Sequence, residues 1–133
     1  MDSNTIDYEA LLKHAFRAKE YAYAPYSGFK VGAALITAGG RVYTGANIEN
    51  ASYGATCCAE RTAVFSAVSC GDRKIAAIAI ASDSENTIFP CGICRQVLTE
   101  FGDGEMDIVC GKRNGEYTVY KLHELIPQAF ELT

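Results

Sequence analysis

Cysteine residues occur at two points of the chain with the spacing that metal sites use. The first is Cys58, which is followed two positions later by Glu60, and the second is the pair Cys91 and Cys94. Two cysteines three positions apart on a helix place their sulfurs on one side of a turn, where both can bind one ion. Thiolates are soft ligands, and zinc in tetrahedral coordination is the metal that suits them best.

The number of ligands indicates what such a site could do. Three cysteines leave one of four tetrahedral positions for water, as in catalytic zinc sites. Neither His14 nor His123 has a partner at metal-ligand spacing. Cys57 is an alternative that could complete the ligand set or replace Cys58, although adjacent residues at a helix start point in different directions. A structural zinc site closed by Cys57 and a redox-active Cys-x-x-Cys pair are the competing interpretations.

Two charged residues beside Cys58 favour a catalytic site. A carboxylate at Glu60 can take a proton from a metal-bound water and pass it to a leaving group. A guanidinium at Arg61 can donate hydrogen bonds to the thiolates and offset the negative charge that three of them give a zinc site. Because a structural site has no use for a carboxylate beside an open position, Glu60 favours an enzyme over a zinc-stabilised binding module.

The elements that must position these residues are predicted by the spacing of apolar side chains. Helical spacing begins near Tyr8 and recurs over 58 to about 69 and 91–101, with a short helical turn at 123–130. Alternating or continuous apolar runs predict strands at 29–37, 41–46, 74–81, 106–110 and 116–120, and the Gly39-Gly40 and Asn114-Gly115 pairs predict hairpin turns. This order indicates a layered α/β domain with a mixed sheet.

Length and composition limit the remaining classes. A chain of 133 residues with 49% hydrophobic and 21% charged residues predicts a single domain over 1–133. The formal charge of −4 and the lack of a basic patch argue against a nucleic-acid polymer or an anionic membrane as partner. No run approaches the roughly 20 apolar residues of a membrane span. The first nine residues are acidic and polar, unlike a secretory signal, so we expect a reducing, cytoplasmic location with thiols rather than disulfides.

The two cysteine motifs resemble the zinc-dependent deaminase signature, with cysteine in place of the first histidine ligand. Longer segments resemble the small homotetrameric cytidine deaminases of nucleoside salvage, and together they span nearly the whole chain. They are AYAPYSGFKVGAA (22–34), GANIENASY (45–53), CGICRQV (91–97) and ELIPQAF (124–130). The zinc motifs alone are moderately specific, whereas their combination with NIEN (47–50) is highly specific. Cys57 is the one local departure from the family pattern.

This resemblance implies a fold, a reaction and an assembly. The family fold is a three-layer α/β/α sandwich around a five-stranded mixed sheet. The family reaction is hydrolytic deamination of cytidine and 2'-deoxycytidine to uridine and 2'-deoxyuridine, with release of ammonia and one zinc ion per subunit. The family assembly is a homotetramer with active sites shared between subunits. A related enzyme class acts on an aminoacylnucleoside antibiotic, but the segment 47–53 favours plain nucleosides.

The resemblance also implies a role for individual residues. Zinc would be held by Cys58, Cys91 and Cys94, and Glu60 would move protons. Asn47 and Glu49 would bind the sugar, and the backbone at Ala59 and Cys91 would contact the pyrimidine edge. Phe29 would stack near the base, although its alternation with Val31 would by itself predict a core residue. The residues expected to reach a neighbouring subunit's site are Phe130, Ala51 and Tyr53.

Overall fold

A single mixed sheet organises residues 5–132, the part of the chain that the computed structural model describes. Its strand order is β2-β1-β3-β4-β5, in which only the β3–β4 pair is parallel. The strands are β1 (Val31–Thr37), β2 (Val42–Ala46), β3 (Ile75–Ser82), β4 (Asp107–Gly111) and β5 (Tyr117–Lys121). The predicted five-stranded mixed sheet is therefore confirmed.

Four helices accompany the sheet: α1 (Tyr8–Lys19), α2 (Ala59–Ser69), α3 (Gly92–Phe101) and α4 (Leu122–Leu125). The side chain of Asp7 caps α1 by accepting a hydrogen bond from the Ala10 N–H over 3.0 Å. The helical turn predicted for 123–130 is shorter, because α4 ends two residues before Pro127. A 3₁₀ turn at Tyr53–Ala55, inside the loop that follows β2, was not predicted.

The helices cover both faces of the sheet and so form three layers. One face packs against α1, whose buried side chains include Leu12 and Ala15. The opposite face packs against α2 and α3, which bury Val64 and Leu98 among others. This arrangement confirms the α/β/α sandwich and explains why β3 is buried on both sides.

Small residues let the layers approach closely. A Cβ added to Gly32 on β1 would lie 2.0 Å from the carbonyl oxygen of Ala15 on α1. On the other face, a Cβ on Gly45 of β2 would lie 2.4 Å from the backbone nitrogen of Ala63 on α2. Both helices therefore pack backbone against backbone at these points.

Strand direction brings the starts of α2 and α3 to one edge of the sheet. Because β2 and β3 are each antiparallel to β1, they run in the same direction. The helix that follows each of them begins at that shared edge, α2 after Cys58 and α3 after Cys91. The topology thus places both cysteine motifs together. None of the helices within residues 5–132 has the length and apolar character needed to cross a membrane.

Candidate active site

The three cysteines predicted as ligands meet where α2 and α3 begin. Cys58 is the N-cap of α2, Cys91 is the N-cap of α3, and Cys94 lies in the first turn of α3. The Sγ atom of Cys91 lies 3.6 Å from that of Cys58 and 3.2 Å from that of Cys94. All three sulfurs lie within 4.8 Å of one another, and Cys57 does not belong to this group.

This sulfur cluster fits a zinc ion. Zinc–sulfur bonds of about 2.3 Å in a tetrahedron hold two sulfurs about 3.8 Å apart, close to the distances between these atoms. Two helix N-termini direct their positive dipole ends toward the cluster, which favours thiolates. Three soft ligands at this spacing could therefore hold one zinc ion.

Hydrogen bonds and nearby charge give the cysteine thiols different pKa values. Hydrogen bonding from the Cys94 thiol, aided by Arg61, lowers the pKa of the Cys58 thiol to about 5. The hydrogen bond to Cys58 and burial raise the pKa of Cys94. Nη2 of Arg61 donates to the Cys58 sulfur over 3.4 Å. This is the electrostatic compensation expected of Arg61 from the sequence.

Glu60 lies beside the cluster and is almost fully enclosed. It occupies the first turn of α2, its exposed fraction is 4%, and it lines the cavity next to Cys58. Burial is the main cause that raises the pKa of its carboxyl above the usual value. A buried carboxyl beside the cysteines can accept a proton and return it, as a proton shuttle must.

Backbone hydrogen bonds fasten the loop after β2 to Cys57, the residue that precedes Cys58. The Ile48 N–H donates to the Cys57 carbonyl and the Cys57 N–H donates to the Ile48 carbonyl, each over 2.9 Å. On its other side the loop pairs with Tyr23, since the Glu49 N–H donates to the Tyr23 carbonyl over 2.8 Å. Asn47 and Glu49 are thereby held at the same sheet edge as the cysteines.

Asn47 has both ends of its side-chain amide engaged. Its Oδ1 accepts from the Val31 N–H over 2.9 Å, and its Nδ2 donates to the Phe29 carbonyl over 2.8 Å. These two bonds fix the point at which β1 begins, which is Val31 rather than the predicted residue 29. Phe29 therefore lies before the strand and is 40% exposed at the cavity, so the core position expected from alternation is wrong.

A cavity of about 310 Å³ adjoins the sulfur cluster, within the range of small-molecule sites. Its lining combines polar side chains, several of them from the loop after β2, with apolar side chains. The lining residues are Ser27, Phe29, Val31, Asn47, Glu49, Thr56, Cys57, Cys58, Ala59, Glu60, Ile80, Ile88, Phe89 and Cys91. Such a cavity can enclose a flat, partly apolar ring beside a metal and a carboxyl group.

Three residues predicted for substrate binding lie outside this lining. Ala51 and Tyr53 are exposed in and around the 3₁₀ turn, and Phe130 is 67% exposed near the end of the chain. Their predicted role is in a neighbouring subunit's site, and this stays a prediction.

Several lining residues were not predicted from the sequence. Ile88 and Phe89 precede Cys91 in a loop without periodic signal, and only their proximity to the Cys-x-x-Cys motif could have pointed to them. Ser27 and Thr56 also face the cavity from loops. Loop side chains follow no hydrophobic period, so pattern reasoning has little to say about them.

Comparison with known proteins agrees with this geometry. Residues 5–111 match the family model described as the cytidine and deoxycytidylate deaminase zinc-binding region. A cytidine deaminase of Halalkalibacterium halodurans is 48% identical over 125 residues, covering 94% of this chain and 95% of that protein. A probable cytidine deaminase of Dictyostelium discoideum is 44% identical over 96% of this chain and 86% of its own length.

Solved structures show the same relationship in three dimensions. The crystal structure of a cytidine deaminase from Burkholderia pseudomallei has a TM-score of 0.90 at 48% identity, covering 94% of this chain and 100% of that one. A cytidine deaminase structure from Mycobacterium tuberculosis has a TM-score of 0.85 at 41% identity, covering 96% and 100%. The cysteine cluster, the fold and these matches together show that the chain belongs to the cytidine and deoxycytidylate deaminase zinc-binding family.

Proposed function

We propose that this chain catalyses the hydrolytic deamination of cytidine and 2'-deoxycytidine, giving uridine and 2'-deoxyuridine with release of ammonia. The observation that carries the proposal is the buried Glu60 carboxyl, which lines the same cavity as two of the three clustered cysteines. A carboxyl group enclosed beside a three-thiol site is suited to proton transfer. The reaction suits nucleoside salvage.

The division of chemistry follows from the donor set. Cys58, Cys91 and Cys94 would hold one zinc ion. When bound, zinc acts as a Lewis acid that lowers the pKa of water toward neutral pH. Glu60 would deliver a proton to N3 of the pyrimidine and then carry one to the amino group. Over the reaction, water adds to C4, the bond from C4 to the amino nitrogen breaks, and ammonia leaves.

The remaining cavity residues would position the nucleoside so that its base lies beside Glu60. Phe29, Ala59 and Cys91 all line the cavity. The Phe29 ring would stack on the base, and the backbone at Ala59 and Cys91 would contact the pyrimidine edge. Asn47 and Glu49, which also line the cavity, would bind the sugar hydroxyls. A neutral nucleoside fits this lining, because it brings no phosphate to a protein of net charge −4.

We further propose that the enzyme is a homotetramer whose subunits share active sites. Several large apolar side chains are exposed, which supports a subunit interface. They include Tyr23, Tyr26, Ile48, Tyr53 and Phe130. In this assembly Phe130, Ala51 and Tyr53 would contact substrate in a neighbouring subunit.

A cytoplasmic location and a single domain over 1–133 complete the proposal. Six free cysteines, three of them required as thiolate ligands, suit a reducing compartment. One continuous sheet with helices on both faces supports a single folding unit.

Uridine formation tests the proposed reaction directly. Purified zinc-loaded protein should convert cytidine and 2'-deoxycytidine, with equal amounts of ammonia and deaminated nucleoside, and chelation should abolish conversion until zinc is restored. A zinc-loaded protein that converts neither nucleoside would contradict the proposal and direct the search to other amino-substituted heterocycles.

A further inference from the structure

We propose that Ser27 is a positioning residue for nucleoside binding, because its contacts join the Glu49 carboxylate and the Phe29 backbone into one fixed unit. This inference rests on the proposed function, since it assigns a task within the nucleoside site. Ser27 faces the cavity from the turn before β1, far in sequence from the zinc motifs.

Within residues 5–132, every hydrogen bond that the Glu49 carboxylate accepts comes from this turn. Its Oε1 accepts from the backbone N–H of Tyr26 over 2.9 Å and from that of Ser27 over 3.0 Å. Its Oε2 accepts from the Ser27 hydroxyl. With an exposed fraction of 9%, Glu49 has given up most of its contact with water and depends on these donors.

The direction of the Ser27 hydroxyl is fixed by a second contact. The Phe29 N–H donates to Ser27 Oγ over 3.0 Å, which leaves the hydroxyl hydrogen to point toward Glu49. Gly28 between them has φ +69°, a conformation that a residue with a side chain rarely adopts. Ser27 thus links the group proposed to bind the sugar with the one proposed to stack on the base.

The geometry limits what Glu49 can still bind. A carboxylate has about four acceptor sites, and the turn occupies three of them, two on Oε1 and one on Oε2. The free site lies on the oxygen that the Ser27 hydroxyl holds. Ser27 therefore sets the direction in which Glu49 meets a substrate hydroxyl.

Steady-state kinetics of three variants test this role. We expect Ser27→Ala to raise KM for cytidine about tenfold, the effect of losing one hydrogen bond to a charged group, with little change in kcat. Ser27→Thr, which keeps the hydroxyl, should restore KM. The matched control is Ser84→Ala, because Ser84 Oγ accepts from the N–H two residues later in the same local geometry but lies outside the cavity lining. A KM for Ser27→Ala equal to that of Ser84→Ala would overturn the inference.

A double-mutant cycle separates positioning from general structural damage. In a Glu49→Ala background, where KM is already raised, Ser27→Ala should produce no further increase. An increase of the same size with and without Glu49, or a loss of kcat and zinc instead of a rise in KM, would overturn the role.

Titration of the Glu49 carboxyl by ¹³C nuclear magnetic resonance decides the matter without turnover. The Ser27 hydroxyl is the largest cause of the lowered pKa of Glu49, so Ser27→Ala should raise that pKa and Ser84→Ala should not. An unchanged Glu49 titration would overturn the inference whatever the activity. Failure of the parent protein to convert cytidine would instead contradict the proposed function.

Discussion

The side-chain amide of Gln96, on α3, donates a hydrogen bond to the backbone carbonyl of Phe130 over 3.0 Å. The same helix begins at the zinc-ligand segment, so one element carries two proposed ligands and fastens the end of the chain. The Phe130 ring itself is 67% exposed. A backbone held in place beneath an exposed ring is what a residue acting on a neighbouring subunit requires.

Removing Phe130 should therefore lower activity without unfolding the protein. A truncation that ends at Ala129 should lose about tenfold or more in kcat/KM while keeping its thermal midpoint, because an exposed ring contributes little to the core. A truncation that ends at Phe130 is the control and should keep full activity. Parental kcat/KM in the chain ending at Ala129 would show that Phe130 is dispensable.

Replacing Arg61 should weaken zinc binding. Its guanidinium lies 3.4 Å from the Cys58 sulfur, and partners of metal ligands typically contribute 10- to 100-fold in affinity. Arg61→Ala should lose affinity by about this factor when zinc is titrated against a competing chelator. Arg73→Ala, at an exposed arginine in the loop before β3, is the control for loss of one positive charge. Equal zinc affinities in the two variants would contradict the role of Arg61.

Much of this site can be predicted from the sequence, because regular helices and strands have a period. Contacts between loops cannot be predicted in this way. Helical periodicity brings Cys91 and Cys94 together, and the βα connections place Cys58 beside them, so the sulfur cluster was predictable. The contact between Ser27 and Glu49 was not, because it joins two loops 22 residues apart and no period relates them. Phe29 illustrates the same limit, since the side chain of Asn47 decides where β1 begins.

An ion pair between the buried Lys19 and the exposed Asp83, just after β3, should make stability depend on pH. Lys19 is 8% exposed and donates a hydrogen bond to Asp83, which lowers the pKa of that carboxyl. The stabilisation is present above the unfolded pKa of about 3.9 and is lost as pH falls through the lower folded value. After allowance for screening of the half-exposed carboxylate, Asp83→Asn should cost about 1 kcal/mol at neutral pH.

Urea unfolding measures how this stabilisation depends on pH. The parent and Asp83→Asn are compared from pH 7 down to the lowest pH at which both stay folded. The difference in free energy of unfolding should narrow as the solution becomes acidic. A difference that stays constant with pH would mean that Asp83 acts through packing or its local turn and not through its ion pair with Lys19.

The contact between α1 and β1 should not tolerate a side chain at Gly32. Because a Cβ there would lie 2.0 Å from the Ala15 carbonyl oxygen and 2.5 Å from the Lys19 nitrogen, the helix must move away from the sheet. Gly32→Ala should lower the free energy of unfolding by about 3 kcal/mol or more. Gly39→Ala is the control, since its Cβ would meet only the Thr37 hydroxyl at 3.9 Å. Equal stability of the two variants would contradict this packing.

Glu60 is proposed to move the protons of a deamination beside a three-cysteine zinc site. The most direct measurement is the turnover of cytidine by the parent and by Glu60→Gln, followed by ultraviolet absorbance at equal, independently measured zinc content. We expect conversion by the parent and a fall in kcat of about 100-fold or more in the variant. A zinc-loaded Glu60→Gln enzyme with the kcat of the parent would contradict it.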